Sequence, residues 1–247
     1  MDINGKVAWI SGGTRMGVAV ARALSQKGCR IALSYRNSRQ AADETAQQLI
    51  LEGGEASTFR CDLSQRGQIE KTARAIVRHY KRLDVLINLS SIYEKAPVSN
   101  ALLAEKSWQA HLTANAESAY HLSVAVAPWM SKGGAGRIVH ISDWTSASGR
   151  PRYKDYSAYY VSKVAIKGIV EVMALELAPK ILVNAIAPGP ILPPKGMEKK
   201  EIQAVMKATP LARWGGAEEI AKAALFLVET DFVTGETLRV DGGRHLS

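Results

Sequence analysis

Short runs of β-branched and aliphatic residues recur along the chain, bounded by Gly, Asn, Asp or Ser, at residues 7–11, 31–35, 57–61, 85–89, 137–142, 182–187 and 237–240. Runs of this length and flanking chemistry predict strands. Between them, apolar positions return at helical spacing over 18–27, 39–52, 65–81, 108–130, 157–177 and 218–228. Strands that are apolar on both faces and alternate with helices cannot leave a face in water. They predict an α/β fold: a doubly wound parallel sheet of about seven strands with helices on both faces. No linker, repeat or low-complexity tract interrupts the pattern, so residues 1–247 are expected to form a single domain.

Composition narrows the class. At 47% hydrophobic and 22% charged, the chain has the balance of an ordinary globular protein, which argues against a disordered or collagen-like chain. No apolar stretch approaches the length of a membrane span. The segment Met1–Lys6 is too polar for a signal peptide, so a cytoplasmic location without membrane attachment is expected. Cys29 and Cys61 fit buried thiols better than a disulfide. The net charge of +9 comes from scattered basic residues with no long Lys/Arg run. That pattern favours a solvated surface and an anionic small molecule over nucleic acid. His79, His111, His121, His140 and His245 show no zinc spacing, so no metal site is expected.

The first strand runs into Ser11-Gly-Gly-Thr-Arg-Met-Gly17 and then into a helical pattern. Glycines at such a turn let the backbone approach a pyrophosphate, which rests on free N–H groups at the helix start. Gly12, Arg15, Met16 and Gly17 are therefore candidate dinucleotide contacts. At the end of the second strand, an NAD site usually carries an acid for the ribose 2′-hydroxyl. Here the segment reads Tyr35-Arg36-Asn37-Ser38, and Arg36 offers a planar fork of donors suited to a 2′-phosphate. The expected cofactor is NADP(H).

Further along, Asp155-Tyr-Ser-Ala-Tyr-Tyr-Val-Ser-Lys163 enters a long helical segment. Tyr159 and Lys163 are one turn apart and share a face. A free phenol titrates near 10, and a neighbouring ammonium is expected to lower that value and make Tyr159 a usable proton donor. Tyr156 and Tyr160 lack a lysine at the same interval. The segment 187–196 holds four of the nine prolines, leaves the carboxyl edge of the sheet, and is expected to act as a lid or substrate loop.

With these motifs in order, the whole chain resembles the short-chain dehydrogenase/reductase family, with its Rossmann-type single domain, Gly-rich first turn and Tyr-x-x-x-Lys pair. Asp62-Leu63 resembles the family's adenine-contacting pair, and Asn88 with Ser90 the segment after its fourth strand. Asn115 matches the asparagine that completes the family's proton relay through a water, and Pro188, Gly189 and Ile191 match its nicotinamide loop. The resemblance implies Tyr159, Lys163 and Asn115 as catalytic residues. It also implies a small-molecule substrate and a homo-oligomer, tetramer or dimer.

Three departures point toward the pteridine reductase-like branch. The glycine loop is one residue short and ends Arg15-Met16-Gly17, similar to the Arg-Leu-Gly of pteridine reductases, in which the arginine contacts both NADPH and the pterin. Ser91 and Tyr93 stand where those enzymes use a serine and an aromatic against the ligand. Asp143 replaces the usual catalytic serine, 16 residues before Tyr159, a longer interval than the family's norm, with 149–154 expected to loop out. Ser142 and Ser146 remain candidates for the missing hydroxyl, and Ser146 stands at the usual family interval. Trp144 is a candidate pocket wall. The expected function is an NADPH-dependent reductase transferring hydride to a C=N or C=O bond of a small cyclic substrate, pteridine reductase-like. The alternatives are a carbonyl reductase of the 3-oxoacyl carrier-protein type and an inactive NADP-binding regulator.

Overall fold

The computed structural model describes residues 1–12, 14–194 and 196–246. Gly13 of the glycine-rich turn and Lys195 of the proline-rich loop lie outside the described residues. Among the described residues, seven parallel strands form one sheet in the order β3-β2-β1-β4-β5-β6-β7. They are β1 Val7–Ser11, β2 Arg30–Tyr35, β3 Ala56–Arg60, β4 Val85–Asn88, β5 Gly136–Ile141, β6 Ile181–Pro188 and β7 Thr237–Val240. Each lies within two residues of its expected bounds.

Every residue of β1, β4 and β5 is buried, so these strands show no alternation of buried and exposed positions. The pleat nevertheless sends alternate side chains to opposite faces. Ala8 and Ile10 join Val20, Leu24 and Ile220 under α1 (Met16–Gln26) and α9 (Ala217–Glu229). Val7 and Trp9 pack with Ile76, Val126, Ile166 and Val170 under α3 (Arg66–Tyr80), α5 (Ser118–Lys132) and α7 (Ser157–Leu177). The one polar atom of Trp9 is satisfied there, donating from Nε1 to Ser34 Oγ at 2.9 Å. The second strand is followed by α2 (Arg39–Leu51).

The structure differs from the hydrophobic pattern in four helical places. The helix expected from 108 begins earlier, as α4 (Ala101–His111), because Asn100 caps it by accepting from Leu103 N at 3.1 Å. Leu102 and Leu103 face solvent, so apolar spacing did not mark this first turn. Between α4 and α5, a π-helical turn at Leu112–Glu117 widens the spiral and carries Asn115. The short α6 (Trp144–Ala147) is held by its capping residue Asp143. Finally, α8 (Lys199–Lys207) has no buried residue and is fixed by a capping box between Glu198 and Glu201.

The ends of the central strands opposite the site are tied by Asp84, which is buried. Its Oδ2 accepts from Val7 N at 2.9 Å, its amide donates to Val7 O, and its carbonyl accepts from Arg137 N. Arg82 closes the carboxylate with two bonds at 2.7 and 2.8 Å. Asp84→Ala leaves the Val7 amide and the Arg82 fork without partners, and such a loss costs about 2–4 kcal/mol. Urea unfolding at neutral pH should show that decrease with an unchanged m-value; a change under about 0.5 kcal/mol would show that the clamp contributes little.

Candidate active site

The sheet order reverses between β1 and β4, which opens a crevice at their carboxyl ends. The turn after β1 is pressed against the segment after β4. Gly12 has φ +73°, and a Cβ on it would lie 3.0 Å from the Leu89 carbonyl carbon and the Ser90 amide nitrogen. A Cβ on Gly17 would lie 2.2 Å from Gly12 O. Neither position admits a side chain, so the backbone turns tightly into α1 and presents the helix start to the crevice. The two segments are joined by Leu89 N donating to Ser11 O and by Ser11 Oγ donating to Asn88 Oδ1 at 2.6 Å. Asn88 Oδ1 also accepts from Ser90 N. These are the features a pyrophosphate cradle needs, and the residues present fit a dinucleotide.

Met16 opens α1 and Arg15 precedes it with φ 54°. The Arg15 guanidinium reaches across the crevice and donates to the carbonyls of Leu192 and Pro193. It thus tethers the proline-rich loop to the glycine-rich turn. Tyr35 is half-buried at the end of β2, while Arg36, Asn37 and Ser38 are exposed beside it. Asp62 and Leu63 follow β3. Burial works to raise the Asp62 carboxyl, but hydrogen bonds from Ser64 and the charge of Arg36 hold it below its ordinary value. Pro188 ends β6, and Gly189 sits where a Cβ would be 2.6 Å from Asp241 Cα. Ile191 is buried beyond it, at the root of the loop.

Tyr159, Lys163, Asn115 and Asp143 come together on the β5–α7 side of this crevice. Tyr159 Oη donates to Asp143 Oδ2 at 3.0 Å. The other oxygen, Oδ1, accepts from Thr145 N at 2.8 Å and from Thr145 Oγ1. Asp143 therefore caps α6 and bonds Tyr159 at once, even though residues 149–154 loop out as expected. Ser146 Oγ donates to Asp143 O at 2.8 Å and meets Ser142 Oγ at 3.0 Å; Ser142 also donates to Lys163 O. Both serine hydroxyls thus brace the backbone beneath the carboxylate, and the group bonded to Tyr159 is Asp143.

The electrostatics correct one expectation. Lys163 was expected to lower the Tyr159 phenol. Instead, burial first, then the charge and hydrogen bond of Asp143, push that phenol well above its ordinary value. Lys163 Nζ lies 5.8 Å from the Tyr159 ring centroid and donates to Ile141 O at 2.9 Å. Burial pushes Lys163 itself down to about 7, with Asp143 opposing. In this arrangement Tyr159 holds its proton firmly and Lys163 is poised to gain or lose one near neutrality.

Asn115 spans two elements. Its Oδ1 accepts from Ile92 N at 2.9 Å, and its Nδ2 donates to Ile92 O and to Ser162 Oγ at 3.0 Å. The loop bearing Ser91 and Tyr93 is thereby fixed to α7. Ser91 Oγ donates to Ile92 O. Tyr93 packs edge-on to Tyr159 at 4.7 Å, and one of its faces is covered by Tyr156, stacked at 4.5 Å and 11°. Trp144 is only 4% exposed, so it forms a floor rather than an open wall. Spacing had set Tyr156 aside as a proton donor, and its place against Tyr93 was visible only in three dimensions. Below the site, His140 is fully buried. Ser123 Oγ donates to Ala119 O, so His140 Nε2 donates to Ser123 Oγ at 2.8 Å and Nδ1 faces Asn88 Nδ2. Burial, then the charge of Lys163, holds His140 down to about 3.

A cradle at the β1–β4 switch beside a Tyr/Lys/Asn cluster defines a dinucleotide-dependent oxidoreductase site. A family model described as enoyl-(acyl carrier protein) reductase matches residues 13–245. The 3-oxoacyl-[acyl-carrier-protein] reductase of Synechocystis sp. is 31% identical over 98% of this chain and 97% of its own. A short-chain dehydrogenase/reductase of Serratia marcescens superposes with a TM-score of 0.91 at 28% identity, covering 99% of this chain and all of that one. A xylitol dehydrogenase solved with NAD+ gives 0.89 at 30% identity, covering 98% of this chain. The chain belongs to the short-chain dehydrogenase/reductase family and is an oxidoreductase of that class. No helix among the described residues is long and apolar enough to cross a membrane.

The buried lysine has a measurable consequence. Between about pH 7 and its ordinary 10.5, Lys163 is neutral in the folded chain and protonated in the unfolded one. Unfolding then takes up a proton, so this group makes stability rise with pH across that window. The Tyr159 phenol works in the opposite direction, and only above about pH 10. Without cofactor, the urea midpoint of wild type should rise from pH 7 to pH 9.5, and Lys163→Met should flatten that rise. An identical slope in the variant would assign the dependence elsewhere.

Proposed function

We propose that this chain is an NADPH-dependent reductase that delivers hydride to the C=N bond of a small flat nitrogen heterocycle of the pterin kind. The observation that carries this reading is the Asp143 carboxylate, 3.0 Å from Tyr159 Oη with its second oxygen taken by Thr145. An ionised carboxylate can only accept hydrogen bonds. It serves a ring that presents N–H or amino groups, whereas a ketone oxygen needs a donor. The nicotinamide dinucleotide, when bound, supplies the hydride.

The chain's own groups handle position and protons. Asp143 aligns an N–H of the heterocycle and holds the proton on Tyr159 until a basic ring nitrogen arrives. Tyr159 then gives that proton from Oη. When a negative charge is left on the phenol, Lys163, buried behind it, can take up a proton supplied by solvent, because an opposite charge favours its ammonium form. Asn115 keeps the Ser91–Tyr93 segment at its distance from Tyr159. Tyr93 offers a half-exposed ring at the mouth. Exposed Tyr120, Val124, Val161, Val164 and Val172 on α5 and α7 support a homo-oligomer.

The preference for NADPH rests on Arg36, exposed at the end of β2 where Tyr35–Ser38 supply no acid. Arg36→Asp puts a negative charge beside the 2′-phosphate position, and kcat/KM for NADPH should fall by about tenfold or more, beyond any change with NADH. Equal losses with both dinucleotides would remove Arg36 from cofactor selection.

A second reading, a carbonyl reductase, draws support from the 31% identity to a 3-oxoacyl-[acyl-carrier-protein] reductase. Asp143→Ser separates the two, because it replaces an acceptor with a hydroxyl that can donate. On the heterocycle reading, the variant loses about tenfold or more on a dihydropterin while keeping or gaining activity on a small ketone. Steady-state kcat/KM for both substrates in both proteins is the measurement. An unchanged ratio favours the carbonyl reductase.

A further inference from the structure

A buried line of hydrogen bonds runs beneath the crevice, and every donor in it points the same way. It begins at Ser90 N, which donates to Asn88 Oδ1 at 3.3 Å. Asn88 Nδ2 faces His140 Nδ1 at 3.4 Å, and His140 Nε2 meets Ser123 Oγ at 2.8 Å. Ser123 Oγ then donates to Ala119 O at 3.0 Å. A backbone amide can only donate and a backbone carbonyl can only accept, so the two ends orient everything between them. Asn88 must turn its oxygen to Ser90 and its amide N–H to His140. His140 must carry its proton on Nε2 and offer a lone pair at Nδ1.

The line passes from the segment after β4 through β5 to α5, and it is sealed. Asn88 is 2% exposed, and His140 and Ser123 are fully buried, so a lost partner would not be replaced by bulk water. Burial, then the charge of Lys163, keeps the His140 ring neutral. A protonated ring would turn an Nδ1–H toward the Asn88 N–H, donor against donor. At its upper end the line reaches the cradle. Asn88 Oδ1 also accepts from Ser11 Oγ at 2.6 Å. Ser11 precedes Gly12, whose missing side chain lets the turn lie against the Leu89 and Ser90 backbone. The Asn88 amide thus holds the two walls of the cradle together, and His140 keeps that amide from turning over.

We propose that His140 is a positioning residue for the dinucleotide: its Nδ1 lone pair fixes the Asn88 amide and, through it, the fit between the glycine-rich turn and the 88–90 segment. This rests on the reading of the crevice as a nicotinamide dinucleotide site. His140 itself touches neither cofactor nor substrate. If the amide turns over, Asn88 Nδ2 meets the Ser90 N–H, the two donors repel, and the segment withdraws from Gly12. A histidine kept only to fill space would need no acceptor at Nδ1.

The test compares two substitutions in the full chain. His140→Phe keeps a ring and removes the acceptor, whereas His140→Asn places an oxygen as many bonds from the backbone as Nδ1. Equilibrium binding of NADPH and of NADH is followed by the fluorescence of the reduced nicotinamide, beside a urea midpoint for each protein. His140→Phe should weaken the tighter-bound dinucleotide by about tenfold or more, while His140→Asn stays within about threefold of wild type, whatever their midpoints. Equal weakening in both variants, or affinity that follows the urea midpoint, makes His140 a packing residue and overturns the proposal. Wild type gives an independent readout should His140→Phe fail to fold. In 15N spectra of ring-labelled histidines, one ring should remain neutral with its proton on Nε2 at about pH 5, since burial holds His140 down to about 3. His111 does not supply that signal, because it donates from Nδ1 to Ser107 O and accepts at Nε2 from Glu94 N. Absence of a neutral Nε2–H ring at that pH overturns the proposal. Wild-type affinity reports on the cofactor reading and the contrast between Phe and Asn reports on His140, so the two fail separately. Tight binding that ignores both substitutions leaves the cofactor reading standing, and a wild type that binds neither dinucleotide overturns both.

Discussion

The geometry of the site depends on how one carboxylate divides its two oxygens. Asp143 Oδ1 accepts from Thr145 and starts the short helix α6, while Oδ2 accepts from Tyr159. The first bond fixes the side chain's rotamer, so the second is made at no further cost in side-chain freedom. Through it, the end of β5 is joined to α7, and the loop between them can run long without carrying the carboxylate away from the phenol. Capping α6 and bonding the Tyr159 hydroxyl are two uses of its two oxygens.

That arrangement also sets the charge state of the cluster. A buried phenol facing a carboxylate is held protonated, and a buried lysine that donates to a backbone carbonyl is pushed toward neutrality by its burial. The ready-made phenolate–ammonium pair that helix spacing suggests is therefore not the resting state. Tyr159 stays protonated, and Lys163 is buried beside it, its Nζ 5.8 Å from the ring centroid. His140, Asn88 and Ser11 continue the polar chain beneath, each satisfied by a neighbour from another strand or helix. Such a network is tolerable in a sealed sheet because its members find partners.

The cradle side is governed by close approach. Gly12 and Gly17 leave no volume for a side chain, so the β1 turn lies against the β4 segment and the crevice at the switch point stays narrow. Arg15 crosses that crevice to the Leu192 and Pro193 carbonyls. The proline-rich loop is thereby positioned over the same opening that the Tyr/Lys/Asn cluster lines from the other side.

Much of this was determined by the sequence alone. Continuous apolar runs alternating with helical periods specify a covered parallel sheet, since backbone pairing and burial admit few other solutions. The glycine turn after β1 and the placing of Tyr159 and Lys163 one turn apart on α7 are local features that follow from spacing. Elements without an apolar stripe were not legible. Helix α8 buries nothing, and α6 exists because Asp143 caps it. Nor could spacing choose among Asp143, Ser142 and Ser146, or show that Tyr156 stacks on Tyr93 and that His140 bridges Asn88 and Ser123. Those choices were made by packing. Linear order sets which side chains are near along the chain, but burial and the partners brought by other strands decide which atom faces which, and with what charge.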